Sequence, residues 1–137
     1  VIDFVNTLDV EQGIDGLAGP AGLATWLRGR GLSDSDASPL RAAQRADAVA
    51  LREALRAMMR EHNGLGPDAE AAAALERAAA RGQLSVCFDT DGAVRLAPRA
   101  PGFAGELARL LVPVAAAAAD GTWERVKACL ADDCGWA

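Results

Sequence analysis

Cys129 and Cys134 are the residues in this chain best suited to chemistry: two thiols with four residues between them, followed at once by Gly135 and Trp136. A pair at this spacing resembles one jaw of a zinc clamp, because a structural zinc ion takes four ligands in a tetrahedron, usually two knuckles of two. Gly135 would let the backbone turn its amides toward the sulfurs, and Asp132-Asp133 make the loop between the cysteines polar. No second pair follows before Ala137, so two thiolates alone are expected to hold zinc weakly. The chain reads as a fragment whose remaining ligands lie in sequence beyond it. The plain alternative is two unpaired thiols in a surface tail. Cys87 sits in a strand-like run, and three cysteines, an odd number, argue against a disulfide framework.

Arginine forms the second pattern. At 100° per residue, Arg41, Arg45, Arg52 and Arg56 fall within roughly 60° of one another on one helix face, and Arg60 extends the stripe by about 40°. A row of guanidiniums is a forked donor surface for carboxylate or phosphate. It serves equally as a solvated edge whose stems cover the flank of an apolar stripe, with Asp47, Glu53 and Glu61 nearby as counter-charges. Asn6 and Thr7 stand among Phe4, Val5 and Leu8. If that segment packs inside, their side chains bond the neighbouring backbone or point into a cavity and meet a ligand. His62, the sole histidine, falls at a helix C-terminus and reads as an exposed capping residue. No nucleophile-and-base constellation can be built around it. Gly13, Gly16 and Gly19 lack the strand-then-helix setting of a phosphate loop. A non-catalytic protein is expected.

The elements that must position these groups follow from punctuation and periodicity. The spacing of Ile2, Val5 and Leu8 is helical, and Gly13 to Gly19 is a glycine-rich loop. Pro20 opens a short helix with Leu23, Trp26 and Leu27 on one face, stopped by Gly31 with Leu32 folding back. Ser33 to Ser38 is a polar loop. Ser38-Pro39 starts the longest helix, which runs to about His62 with Leu40, Leu51, Leu55 and Met58 as its core stripe. An alanine-rich helix from about Gly66-Pro67-Asp68 ends near Gly82, and its small-residue face (Ala69 to Ala80) offers a surface for a partner subunit. Leu84 to Leu96, alternating about an Asp91-Gly92 turn, is a β-hairpin spanning about residues 84–97. Pro101 to Ala119 is a helix bent at Pro113, with Phe103, Leu107, Leu110, Leu111 and Val114 inward. Trp123 to Ala128 reads as a short strand. The expected fold is α/β and mostly helical, with a small antiparallel sheet.

Composition narrows the function. A net charge of −5 and a pI near 4.8 have the wrong sign for a free-standing nucleic-acid binder. Thirteen arginines against one lysine, with abundant alanine, read as GC-rich bacterial coding. The opening apolar run is too short to cross a membrane. No other long apolar stretch stands out, so a cytoplasmic protein without membrane contact is expected. A chain of 137 residues suits one core.

Taken together, Asp3-Phe4-Val5-Asn6-Thr7, the Trp26-Leu27 helix, the helix around Leu51-Arg52-Glu53-Ala54-Leu55, and Arg125-Val126-Lys127-Ala128-Cys129 through Cys134-Gly135-Trp136 resemble the CGNR zinc-finger family, whose N-terminal part is the ABATE domain. The resemblance implies a stress-induced transcription regulator. Its α/β domain, here residues 1–122, would bind a small ligand. A treble-clef zinc finger, here begun at 123–137 and incomplete, would bind DNA. Cys129 and Cys134 match the first pair of zinc ligands, and the second pair, in a Cys-Gly-Asn-Arg motif, is not in this sequence. Asn6, Thr7 and Arg52 match the family's polar signature. With Trp26, Arg45 and Arg56 they form the expected ligand-binding set, suited to an anion. The other reading is an interaction or dimerisation module that carries the finger.

Overall fold

The computed structural model describes residues 1–33 and 40–137. In chain order these form α1 (Ile2–Val5), β1 (Leu8–Asp9), β2 (Ile14–Asp15), α2 (Gly19–Gly29), α3 (Ala42–Glu61), α4 (Ala69–Arg81), β3 (Leu84–Phe88), β4 (Val94–Pro98), α5 (Gly102–Ala108) and α6 (Val112–Ala119). Single 3₁₀ turns at Arg109–Leu111 and Trp123–Arg125 complete the list. The fold is mostly helical, with two antiparallel two-stranded sheets, β1-β2 and β3-β4.

Helix α3 is the axis. Its residues are strong helix formers almost throughout, and Gln44 reaches back to accept the Arg41 amide at 2.9 Å. The expected start at Ser38-Pro39 lies outside the described residues. Leu51 and Leu55 are buried as expected, but Met59 is the methionine with no exposure, while Met58 and Leu40 only flank the core. The buried face is wider than an apolar stripe because Arg52 and Arg56 are buried too. Against it pack Phe4 and Val5 of α1, Leu23 and Leu27 of α2, and Leu107, Leu110 and Leu111 from α5 and the turn after it.

The first segment departs from its helical expectation. Helix α1 stops at Val5, and β1 pairs with β2 in the register Leu8↔Asp15 and Asp9↔Ile14. The Gly16 amide also donates to Thr7 O at 2.7 Å. The glycine-rich loop therefore contains a strand. Two-residue strands carry no readable period. Helix α2 ends as expected, with the Leu32 amide returning to Leu27 O at 2.9 Å.

Helix α4 is capped by Asp68, whose carboxylate accepts from the amides of Glu70 and Ala71 at 2.9 and 3.0 Å. Its Leu75, Ala78 and Ala79 pack toward the core of the same chain. A Cβ on Gly82 would stand 2.1 Å from the Ala108 Cβ, so α4 and α5 approach this closely only with glycine there. The hairpin pairs Leu84↔Pro98, Val86↔Leu96 and Phe88↔Val94, placing these six on one face. That face leaves the core as it runs outward: Phe88 is 78 % exposed. Cys87, on the other face, is buried.

The stretch Gly102–Ala119 has a mean hydropathy of 1.4 and meets the length and composition of a membrane span, contrary to the expectation that no further long apolar stretch exists. Its first part owes that character to Leu107, Leu110 and Leu111, which belong to the core. Where a bend is expected at Pro113 the helix is broken: a 3₁₀ turn at Arg109–Leu111 precedes α6, which carries Pro113 in its first turn. The expected strand at Trp123 to Ala128 is absent. A 3₁₀ turn leads instead into an extended segment whose Ala128 amide donates to Met59 O at 3.1 Å. The end of α3 takes the bond that a neighbouring strand would have taken.

Candidate functional site

The arginine face of α3 is where the two ends of the chain meet. Arg52, 2 % exposed, grips Asp15 with both Nη atoms, at 2.7 and 3.3 Å. It also donates from Nε to Glu53 at 2.8 Å and from Nη1 to Thr7 Oγ1 at 3.2 Å. Arg56, 5 % exposed, donates to Glu53 at 2.5 Å, to Val5 O at 2.6 Å and to Gly135 O at 3.0 Å. Arg45 donates to Leu17 O at 3.0 Å and Arg60 to Cys129 O at 3.1 Å. The inner part of the stripe is thus neither a solvated edge nor an open anion surface. Its forks serve carbonyls of irregular segments that have no ladder to pair with, which a rigid five-donor group does well.

The electrostatics follow from these contacts. Burial, the largest single influence on Arg52, lowers its pKa, yet Asp15 and Glu53 together outweigh it and hold the pKa above the ordinary arginine value. Burial likewise works to raise the Asp15 pKa. The Arg52 hydrogen bonds, the Leu17 amide and the charges of Arg52 and Arg45 prevail and keep it below the usual carboxylate range. Arg56 is lowered, chiefly by burial, with Glu53 opposing.

The other expected residues fall into place around this face. Thr7 bonds locally, donating to Phe4 O at 2.7 Å. Asn6 instead reaches across the whole sequence: its amide donates to Ala137 O at 3.1 Å, and its Oδ1 accepts from Ala137 N at 2.9 Å. Trp26 packs against Phe4 in a tilted pair with centroids 5.1 Å apart and lies beneath the Arg30 guanidinium. The structure therefore brings Asn6, Thr7, Arg52 and Arg56 together, with their donors occupied by protein acceptors. Arg45 and Trp26 sit to either side.

Two residues just past the end of α3 lie outside the expected set. His62 is half-buried rather than exposed: Nδ1–H donates to Val126 O at 2.8 Å, and the ring stands edge-on to Trp123. Asn63 donates to Ala128 O at 3.2 Å. With Arg60 they form a row of donors for residues 126–129. The run Arg60-x-His62-Asn63 just before a glycine was the available hint, since donors past a helix end commonly bond nearby carbonyls.

The cysteine segment is held as a closed loop. The Cys129 amide donates to Trp136 O at 2.7 Å and the Cys134 amide to Ala131 O at 3.2 Å. The Ala131 amide, foremost, then the Cys134 thiol and the Gly135 amide, point hydrogen bonds at the Cys129 sulfur, and Arg60 adds positive charge. Together they hold this thiol below its ordinary pKa. Gly135 adopts φ +68°, a left-handed turn that other residues take only with strain. All three cysteines are free thiols. Thiols flanked by inward amides fit half of a tetrahedral zinc site. Among the described residues no group of three or more His, Cys, Asp or Glu side chains converges to hold a metal.

A cleft of about 200 Å³ opens on the opposite side of α3, between α3, α4 and α5. Buried Leu51 and Leu107 form its floor, and Asp47, Arg77 and Arg81 line its rim.

A family model named ABATE, described as "Putative stress-induced transcription regulator", matches residues 1–121. The chain belongs to the ABATE family. The match spans both sheets and α1 to α6, and it ends before Cys129. No curated protein and no solved structure matches this ABATE chain.

Proposed function

We propose that this ABATE chain is the controlling body of a transcription regulator, and that its arginine face sets the posture of the cysteine knuckle. In this reading Cys129 and Cys134 supply two thiolates to a zinc ion. Two further ligands, from outside residues 1–137, complete the tetrahedron, and zinc there would supply the rigid centre of a DNA-contacting finger. The body, acidic overall, contributes position rather than phosphate-neutralising charge. Such a regulator works in the cytoplasm, on DNA, without catalysis.

The observation that carries the proposal is the concentration of donors on the knuckle. Asn6, Arg56, Arg60, His62 and Asn63 all bond the backbone of residues 126–137. A tail with no task would not draw a buried guanidinium. Any signal that moves α3 therefore moves the finger's base.

The test uses the full-length protein. Zinc content is measured with a chromogenic chelator, and DNA affinity with a fluorescent duplex library at two salt concentrations, for wild type and Asn6→Ala. The expectation is one zinc per chain in both. Wild type should bind DNA more weakly at higher salt, and Asn6→Ala should show altered affinity with its zinc retained. Absence of zinc from the full-length protein, or DNA binding indifferent to Asn6→Ala, would overturn the proposal.

A further inference from the structure

We infer that the cleft between α3, α4 and α5 is a binding site for a small aromatic monocarboxylate. Its size sets the first limit. An enclosed apolar cavity of about 150 Å³ accepts benzene, so a cleft of about 200 Å³ has room for one ring with a small substituent. The lining sets the second. Leu51 and Leu107 on the floor and half-buried Phe103 and Ala78 on the walls offer apolar and aromatic contact but nothing to satisfy a sugar.

The rim sets the charge. Arg81 is held by Asp47 at 2.7 Å, an ion pair exposed on both sides, which is worth little and exchanges readily. Arg77 has no carboxylate within 4 Å among the described residues. Two guanidiniums against one carboxylate leave the rim at +1 on a chain whose net charge is −5. A planar carboxylate meets a guanidinium fork in bidentate fashion, and a ring behind it fills the apolar floor. A cationic ligand would instead face Arg77. The alanines at 74 and 78, at the same helical spacing as Arg77 and Arg81, leave the room that larger residues would fill.

Helix α3 links this site to the knuckle. Asp47 and Leu51 face the cleft, while Arg52, Arg56 and Arg60 project about 100–180° away. A ligand wedged against Leu51 bears on the helix that holds Gly135 and Cys129. This consequence rests on the regulator reading above, whereas binding itself does not.

Benzoate, benzyl alcohol and benzylamine are titrated into ¹⁵N-labelled protein, with Arg77→Ala and Ala74→Leu as variants. Both are surface or half-buried changes that leave the core intact, which their spectra check. Benzoate is expected to shift the amides of Ala50, Ala78 and Phe103 saturably, with a Kd below about 1 mM. Benzyl alcohol and Arg77→Ala should each weaken binding by about tenfold or more, Ala74→Leu should abolish it, and benzylamine should fail. No saturable shift with benzoate, equal binding of all three probes, or an unchanged Kd in Arg77→Ala would overturn the site while leaving the regulator reading intact. Saturable cleft shifts with Cys129 and Gly135 amides unmoved would confirm the site and remove its link to the knuckle.

Discussion

Two sets of arginines sit on either side of one helix and do opposite things. On one side of α3, Arg52 and Arg56 lie buried with their forks committed to Asp15, Glu53, Val5 O and Gly135 O. On the other, Arg77 and Arg81 stand exposed at a cleft, one without a carboxylate among the described residues and one in a loose pair with Asp47. The residue type is the same, so the difference lies in what the fold brings within reach. Where irregular segments converge, their carboxylates and carbonyls engage each arm of the fork and the arginines become part of the architecture. Where small alanines keep neighbours away, the donors stay free for something else.

The largest effect should come from breaking the closed side. Arg56→Ala strands the buried Val5 O and Gly135 O and should cost about 2–5 kcal/mol in urea unfolding, about 1–3 for each stranded acceptor. A loss below about 1 kcal/mol would show that water replaces the guanidinium at little cost.

Next comes Asp15→Asn, which leaves Arg52 short of a carboxylate and should cost about 1–3 kcal/mol near neutral pH. The pH dependence sharpens it. Because Asp15 is held below the usual carboxylate range, its folded state binds the proton less readily than the unfolded one. Its contribution is complete above about pH 4 and is lost as pH falls through its lowered pKa. Wild type should lose stability there more steeply than Asp15→Asn, and parallel acid curves would contradict the pairing.

A smaller effect, about 1 kcal/mol, is expected for Gly135→Ala from the left-handed backbone alone. Faster alkylation of Cys129 and Cys134 as the loop loosens would report it. The smallest belongs to the open side: Arg77→Ala should change stability by no more than about 0.5 kcal/mol. A loss comparable to that of Arg56→Ala would erase the distinction between the two faces.

Reading the sequence reached the helices and the main hairpin because each carries its own punctuation: Pro20 and Gly31 about α2, Asp68 before α4, Asp91-Gly92 in the hairpin. It also reached a break in the last helix near Pro113. It did not reach β1-β2, since two-residue strands have no period, nor the choice of Met59 over Met58, which depends on how α3 turns once its arginines are buried. The site was legible as a set of residue types but not as a set of partners. Arg52 and Arg56 announced forked donors, yet nothing local tells a fork bound for a ligand from one bound for a carbonyl 79 residues away. His62 was misplaced for a similar reason: the Val126 carbonyl that accepts its hydrogen bond lies 64 residues on. The cleft arginines were hidden by the alanines around them, whose smallness carries information only once α3, α4 and α5 are seen to enclose a cleft there.

The clasp between Asn6 and Ala137 spans 131 positions, and it has a kinetic corollary. Closing so long a loop is among the slowest contacts a chain can make, because the entropy of bringing its ends together is lost before any bond rewards it. The cysteine loop should therefore settle onto the body last, after α3 and the early strands are in register. A pulse of deuterium during refolding would find the Cys129 and Ala137 amides protected later than those of α3, so the cysteines would become ordered only in chains whose interior has already formed.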